Sequence, residues 1–366
     1  MHRNRFPEAE GSSHARVAAA VTSQKKQLLS GAILAVALLA LFFRGVDWHA
    51  LGQALRNAHL LPLAGVILVT IAIYAVRAWR WGDLLAPLGR VGHADLFSAT
   101  MVGFAASLLI PRAGELLRPW LIAQRHPIPT SAGFATIIIE RLIDLIAMLF
   151  LFALYLFVLP TPAAQIESGL MDMLSFAGAA AAVAAVAILG FLLALHAHAE
   201  RVVGGLERLL TRAPRWLAEP LGRVLRTFSG GLAVLRAPVL HLAKIGLQSI
   251  VLWLLVALAF HLNNLAFGID LPFHATFLLN AFLVVGGTIP TPGMVGGFHA
   301  FYLLALSEVY GIDRATAAAA GISGHALTNL PVLVFGLAFL GREGLSVRRM
   351  TSATRDEPVL RGKNLL

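Results

Sequence analysis

The stretch from Leu108 to Arg125 reads LLIPRAGELLRPWLIAQR and places charged side chains at the end of an apolar run. The run at 96–110 stops here, and Arg112, Glu115 and Arg118 follow. Charged side chains beside a hydrocarbon-length segment are costly in lipid unless they face protein, water or a polar ligand. Arginine binds phosphate through paired, charge-assisted hydrogen bonds, so this stretch is the first candidate for a site that binds a lipid phosphate.

A continuous helix is not expected through this stretch. Pro111 lacks a backbone N–H and Gly114 is conformationally free, so we expect a break here. In a bilayer a broken backbone survives only where protein buries it or where it lines a wet cavity. Arg112 and Arg118 would lie on different faces of one helix, and the break lets both point into one cavity. Glu115 would hold one guanidinium or contact a cationic head group.

A second set of charges lies inside a long apolar segment. Glu140 and Asp144 are one helical turn apart and face the same way, with Arg141 beside them. We expect these carboxylates to pair with Arg112 and Arg118 when the site is empty, so that a head group competes for the arginines. The alternative interpretation is a set of internal salt bridges that only lock the structure.

A second broken segment follows in the C-terminal half. An apolar run ends at Pro290, and the sequence continues TPGMVGG. A glycine stands three positions after Pro290, as it does after Pro111, which is typical of an inverted repeat whose two broken helices enter from opposite faces. Hydroxyl and backbone groups at Thr291, Gly293 and Gly296 are candidate ligand donors. A tight turn with close helix packing is the alternative role for this segment.

Composition identifies the class of protein. The 366 residues are 58% hydrophobic and 13% charged, whereas a soluble domain carries about 25% charge. The chain is therefore expected to be an all-α polytopic membrane protein. It has no cysteine, which excludes disulfides and thiolate metal sites. No phosphate-loop or dinucleotide motif is present, and we expect no cofactor, no metal and no nucleic-acid partner.

The distribution of basic residues predicts the topology. The segment 196–243 is rich in arginine, whereas the connectors 160–173 and 268–275 contain no Lys or Arg. The positive-inside rule is satisfied if both broken segments are re-entrant hairpins and the chain has about six full spans in a bacterial inner membrane. The full spans are predicted at 28–43, 61–76, 131–159, 174–195, 245–267 and 315–340. The predicted domains are a cytoplasmic basic tail at 1–27, a membrane domain at 28–340 with cytoplasmic amphipathic helices at 196–243, and a cytoplasmic basic tail at 341–366.

Three motifs in this order resemble a known family. They are PRAGELLR from Pro111, ERLID from Glu140 and PTPG from Pro290. Together they are similar to the flippase-like membrane region of lysylphosphatidylglycerol synthases, which also occurs as a stand-alone protein, and the resemblance covers about residues 28–340. In the family PTPG is usually followed by glycine and then an acidic residue. Here Met294 stands at the glycine, and His299 lies near the acidic position and joins the candidate site residues.

The resemblance implies a function in lipid handling. We expect the chain to bind membrane lipids with anionic or phosphate-bearing head groups and to translocate them between leaflets. Because only 341–366 follow the last span, no aminoacyl-transferase domain is expected and the chain is not predicted to be an enzyme. The alternative is a membrane-embedded enzyme or accessory subunit that acts on a polyprenyl or phospholipid substrate.

Overall fold

The computed structural model describes residues 33–40, 42–159, 168–210 and 231–342, and the secondary structure within them is helical, without a strand. This confirms the predicted all-α class. Residues 33–40 and 42–43 are helical. The numbered helices that follow them are α1 Trp48–Arg56, α2 Leu60–Leu85, α3 His93–Leu109, α4 Ala113–Ala123, α5 Thr130–Phe157, α6 Ser168–Leu210, α7 Val239–Ala266, α8 Ala275–Thr288, α9 Gly297–Leu303 and α10 Arg314–Arg342.

Long apolar helices coincide with four of the six predicted spans, whereas the span predicted at 28–43 is described only at 33–40 and 42–43. Among the described residues, four helical segments are long and apolar enough to cross a membrane, and they lie in α2, α6, α7 and α10. Helix α5 has 28 residues and is about 42 Å long, enough to cross a bilayer, but it carries Glu140, Arg141 and Asp144 in its first half. Helix α2 continues past the predicted end of its span at position 76 to Leu85.

The first broken segment folds back on itself as a hairpin of α3 and α4, called here the first hairpin. Its turn contains Arg112, whose φ of 64° is in the left-handed region that non-glycine residues rarely adopt. The two limbs touch at Gly103 and Gly114, where a Cβ on either glycine would overlap the other limb. The Gly114 N–H also donates to Ser107 Oγ at 2.9 Å. Glycine at both positions is therefore what lets the limbs approach.

The second broken segment, α8 and α9, forms the second hairpin with the same device. Its limbs touch at Gly286 and Gly297, where an added Cβ would overlap the opposite backbone. The turn between them uses Gly293 at φ 61° and Gly296 at φ 89°. The two hairpins meet, because a Cβ built on Gly293 would lie 3.5 Å from the carbonyl oxygen of Leu108 in the first hairpin.

Some predictions fall outside the described residues. Helix α6 continues to Leu210, and a 3₁₀ turn covers Leu232–Arg236, whereas residues 211–230 are not described. The predicted surface helices at 196–243 therefore stay a prediction. The two predicted tails, 1–27 and 341–366, also lie outside the described residues, except for positions 341–342 at the end of α10.

Candidate functional site

A bidentate ion pair lies between α4 and α5. The Arg118 nitrogens Nη1 and Nη2 donate to the two carboxylate oxygens of Glu140, each at 3.2 Å. Arg118 is 1% exposed and Glu140 is fully buried. This fork geometry is the strongest form of arginine–carboxylate hydrogen bonding, and it ties the first hairpin to the long helix α5.

A second ion pair lies next to the first and involves α2. Arg80 Nη1 donates to Asp144 Oδ1 at 2.5 Å and to Ser249 Oγ of α7 at 2.7 Å. Arg77 Nη1 lies 3.4 Å from Asp144 Oδ2 and 3.7 Å from Glu140 Oε1. Arg80 Nη2 lies 3.5 Å from the same Glu140 oxygen, so the two carboxylates and three buried arginines form one network.

Aromatic rings cover the flat faces of the guanidinium groups. The Cζ atom of Arg118 lies 4.3 Å from the centre of the Trp81 ring. Trp81 is held in place because its Nε1–H donates to Thr136 Oγ1 at 3.1 Å. On the other side, the Phe104 ring centre lies 5.0, 5.6 and 5.9 Å from the Cζ atoms of Arg77, Arg118 and Arg141. These are cation–π distances, and they leave the N–H edges of the guanidinium groups free for acceptors.

The network has one edge that is not buried. Arg141 Nη2 lies 3.4 Å from Glu140 Oε1, and its Nε lies 3.9 Å from Glu115 Oε1. The side chains of Arg141 and Glu115 are 39% and 35% exposed, in contrast to the buried pairs behind them. The exposed side chains Leu116 and Leu145, at 54% and 36%, follow them on α4 and α5. This edge therefore faces the surroundings of the protein at a level where the neighbouring surface is apolar.

The arginine cluster is defined here as Arg77, Arg80, Arg118 and Arg141 with Glu140 and Asp144. Four guanidinium groups face two buried carboxylates, and Glu115 adds one more at the edge, so one positive charge is in excess. The buried Nε atoms of all four arginines, Arg77, Arg80, Arg118 and Arg141, have no hydrogen-bond acceptor among the described residues. Buried cations without full compensation are expensive, and a bound anion would compensate them.

The sequence interpretation missed two members of the cluster. Arg77 and Arg80 follow the predicted span 61–76 and were not among the candidate site residues, whereas they are 9% and 0% exposed. The signal was the register of α2: its buried positions Val66, Thr70 and Ile73 continue at helical spacing onto these two arginines. A buried stripe that runs into arginine predicts a charged partner elsewhere in the chain.

Arg112 does not lie in the cluster. It is exposed, forms the left-handed turn of the first hairpin, and makes no ion pair with a described carboxylate. The expectation that it pairs with Glu140 and Asp144 was wrong, since Arg77 and Arg80 occupy that role from α2. The break turns Arg112 outward and Arg118 inward instead of converging them.

The second hairpin brings its predicted residues together in a neutral environment. His325 Nε2 of α10 lies 2.7 Å from the Gly293 carbonyl oxygen and donates to it. The Gly296 N–H donates to His299 Nδ1 at 3.4 Å, and the His299 ring centre lies 4.7 Å from that of His325. Thr291 is 2% exposed, and its hydroxyl has no partner among the described residues. None of these residues contacts the arginine cluster in a described ion pair or hydrogen bond.

Comparison with known proteins agrees with this architecture. A profile of the lysylphosphatidylglycerol synthase TM region matches residues 27–336. A relative in Haloferax volcanii, the glycosyltransferase AglD, is 25% identical over 339 residues, which are 86% of this chain and 54% of the relative. The chain thus spans about half the length of the curated relative that it matches.

The family match covers the first five predicted spans, most of the last one, both hairpins and every residue of the arginine cluster. It places the chain among polytopic membrane proteins of a lipid-related family, as the three sequence motifs predicted. The protein therefore belongs to the family of the lysylphosphatidylglycerol synthase transmembrane region.

Proposed function

We propose that this chain binds the phosphate-bearing head group of a membrane lipid at the arginine cluster and moves it between the two leaflets. The observation that carries the proposal is the excess of buried guanidinium groups over carboxylates, combined with buried N–H groups that lack acceptors. A phosphate monoanion would balance the charge and accept those hydrogen bonds. Salt bridges that served only to lock the hairpin would not require an unbalanced arginine.

The depth of the cluster supports a lipid ligand. Glu140 lies ten residues after the start of α5, or about 15 Å along the helix. A hydrocarbon core is about 30 Å thick, so a head group bound near the middle of a membrane-spanning helix would lie away from the membrane surface. A site at this depth suits a lipid in transit better than one that is held at the surface.

The exposed edge supports lateral access. Arg141 and Glu115 are the members nearest the surroundings, and the exposed side chains beside them are leucines that suit acyl chains. A head group would exchange first with the Arg141–Glu115 contact, whose 3.9 Å separation makes it the weakest pair of the network. The buried pairs Arg118–Glu140 and Arg80–Asp144 would stay in place or rearrange behind this contact.

The second hairpin has a supporting role in the proposal. Its turn lies against Leu108 at the end of α3, so a movement of one hairpin turn would displace the other. Thr291, Gly293, Gly296 and His299 stay candidates for contact with the part of the head group that carries no phosphate. The direct contacts to phosphate are assigned to Arg118 and Arg141.

The test is translocation of a fluorescent phosphatidylglycerol in proteoliposomes, followed by chemical quenching of the outer leaflet. Arg141→Gln removes a charged donor at the open edge, and we expect the rate to fall about tenfold, the equivalent of about 1.4 kcal/mol. Arg118→Gln should abolish activity. Rates equal to wild type in both variants, at equal reconstituted protein, would overturn the proposal.

Two further variants keep the test interpretable. Arg90→Gln changes an exposed arginine outside the cluster and should leave the rate unchanged. Arg118→Gln combined with Glu140→Gln removes one positive and one negative charge, so the net charge of the cluster stays the same, and Arg77 and Arg80 keep Asp144 as a partner. This double variant should be folded and inactive, whereas a folded and active one would contradict the assignment of Arg118.

The name of the Haloferax volcanii relative favours a second candidate function. In this alternative, the chain presents a lipid substrate to a glycosyl-transferring partner and does not move it across the bilayer. The same cluster would bind the phosphate in both cases. Lipid binding without translocation in the reconstituted protein would favour this second function.

A further inference from the structure

The Phe104 side chain holds a position that the ion pairs do not explain. Its ring centre lies within 6 Å of the Cζ atoms of Arg77, Arg118 and Arg141, at 5.0, 5.6 and 5.9 Å. These arginines come from three different helices, α2, α4 and α5. The Phe104 ring also packs edge-to-face against Tyr74, with ring centres 5.1 Å apart. One aromatic ring thus lies near three positively charged guanidinium groups.

The three positively charged guanidinium groups repel each other, and the two buried carboxylates do not balance all three charges. A third carboxylate in the place of Phe104 would balance the charge, but it would accept from the same N–H edges that an anionic ligand needs. An aromatic ring stabilises a cation through its negative face without accepting a strong hydrogen bond. It therefore compensates the excess charge and leaves the donor edges available.

We propose that Phe104 is the positioning residue that stabilises the empty arginine cluster without occupying the N–H groups that an anionic ligand would use. The inference rests on the proposed function for the identity of the ligand, but not for the ring–guanidinium contacts. Phe104 acts through the three arginines and does not itself bind phosphate. Its replacement should change the stability of the empty site and the affinity for an anion in opposite directions.

The position of Phe104 in the first hairpin supports this role. It follows Gly103, and the aliphatic part of the Arg118 side chain packs against that glycine so closely that a Cβ there would meet Arg118 Cγ. The Arg118 guanidinium thus lies within cation–π distance of both Phe104 and Trp81, at 5.6 and 4.3 Å from their ring centres. The N–H edges then point at Glu140, the acceptor that fills the site in the absence of ligand.

The experiment replaces Phe104 by mono-, di- and trifluorophenylalanine in the full-length protein. Fluorine changes ring size little but withdraws electron density from its face, which weakens cation–π attraction step by step. We expect the melting temperature of the ligand-free protein in detergent to fall with each added fluorine. The stabilisation on adding dioctanoyl phosphatidylglycerol should grow across the same series, because the anion then compensates charge that the ring no longer does.

A matched control lies on the same helix. Phe97 is seven positions earlier and packs against Phe335 and Phe339, each with ring centres 6.0 Å away, and no described arginine lies over its ring. The same fluorinated series at Phe97 should show no graded loss. Equal behaviour of the two series, or a flat melting temperature across the Phe104 series, would overturn the assignment.

The outcome separates this inference from the proposed function. A graded loss in the ligand-free protein without any lipid-dependent stabilisation would retain the role of Phe104 and reject the phosphate ligand. Phe104→Glu gives a second check, since a carboxylate in this position should preserve or raise the melting temperature and abolish the lipid-dependent shift. A Phe104→Glu protein that still responds to phosphatidylglycerol would contradict the inference.

Discussion

The two hairpins share a backbone device and differ in their chemistry. In each, two helical limbs touch at a pair of glycines, Gly103 with Gly114 and Gly286 with Gly297, and the turn contains residues with positive φ. The first hairpin places Arg118 against buried carboxylates. The second hairpin is held by neutral hydrogen bonds, such as the one from His325 to the Gly293 carbonyl oxygen.

The comparison of the two hairpins indicates that a broken helix alone does not make a ligand site. Both breaks combine irregular backbone with a close contact between two helical limbs. Only the first is surrounded, within the described residues, by arginines from neighbouring helices in excess of carboxylates. The charge supplied by α2 and α5 turns the first hairpin into the candidate binding half, whereas the second acts as the scaffold against which it packs.

The largest expected effect concerns Glu140 of α5, the buried acid that pairs with the first hairpin. Glu140→Ala leaves Arg118 and Arg80 without their shared acceptor, and we expect a loss of about 3–5 kcal/mol in the free energy of unfolding. Unfolding in detergent, followed by tryptophan fluorescence, measures it. Glu308→Ala is the control, because Glu308 is 54% exposed and its pair with Arg314 should contribute about 0–1 kcal/mol. Equal losses in the two variants would remove the special status of the cluster.

The glycine contacts test what the hairpins share. Gly114→Ala and Gly297→Ala each force a Cβ against a backbone carbonyl of the opposite limb, and we expect each to cost about 1–3 kcal/mol of stability. Only Gly114→Ala should also weaken lipid binding, because it displaces the limb that carries Arg118. Gly246→Ala is the control, since a Cβ there meets open space and should be neutral or stabilising. Loss of lipid binding in Gly297→Ala alone would reverse the assignment of the two halves.

The neutral hydrogen bond of the second hairpin should matter less. His325→Leu removes the donor to the Gly293 carbonyl oxygen at 2.7 Å, and we expect a cost of about 1 kcal/mol. Lipid affinity should be unchanged, since this bond supports the turn and not the cluster. Thermal unfolding and lipid titration of the same sample measure both effects. A large loss of affinity with unchanged stability would bring His325 into the binding site.

The smallest effect is expected at Thr291. Its buried hydroxyl has no described partner, so the nearly isosteric Thr291→Val should change stability by less than about 0.5 kcal/mol or raise it. Translocation decides between the two roles considered for this residue. An unchanged rate supports close packing alone, whereas a slower rate in an equally stable protein supports contact with the head group.

The sequence predicted a large part of this architecture. Apolar run lengths indicated the spans, and proline followed by glycine indicated both breaks. The carboxylates Glu140 and Asp144 were placed on one face by their spacing alone, and both lie in the cluster. These inferences depend on local geometry, which helical periodicity determines.

The remaining features depend on contacts between distant segments, which spacing does not encode. The pairing of Arg77 and Arg80 with α5 spans more than 60 positions, as the separation of 64 between Arg80 and Asp144 shows. The expected equivalence of Gly114 and Gly293 was wrong. Gly114 and Gly297 both lie where the limbs of a hairpin touch, whereas Gly293 belongs to the turn. Motif spacing located the breaks but not the function of each glycine.

The proposed function depends on the excess guanidinium charge of the arginine cluster binding a lipid phosphate. The most direct measurement is native mass spectrometry of the purified protein with dioctanoyl phosphatidylglycerol and with dioctanoylglycerol, which has the same chains and no phosphate. We expect the wild type to retain the phospholipid at least about tenfold more tightly than dioctanoylglycerol, which corresponds to about 1.4 kcal/mol, and Arg141→Gln to reduce this difference in affinity. Equal retention of the two lipids by the wild type would contradict it.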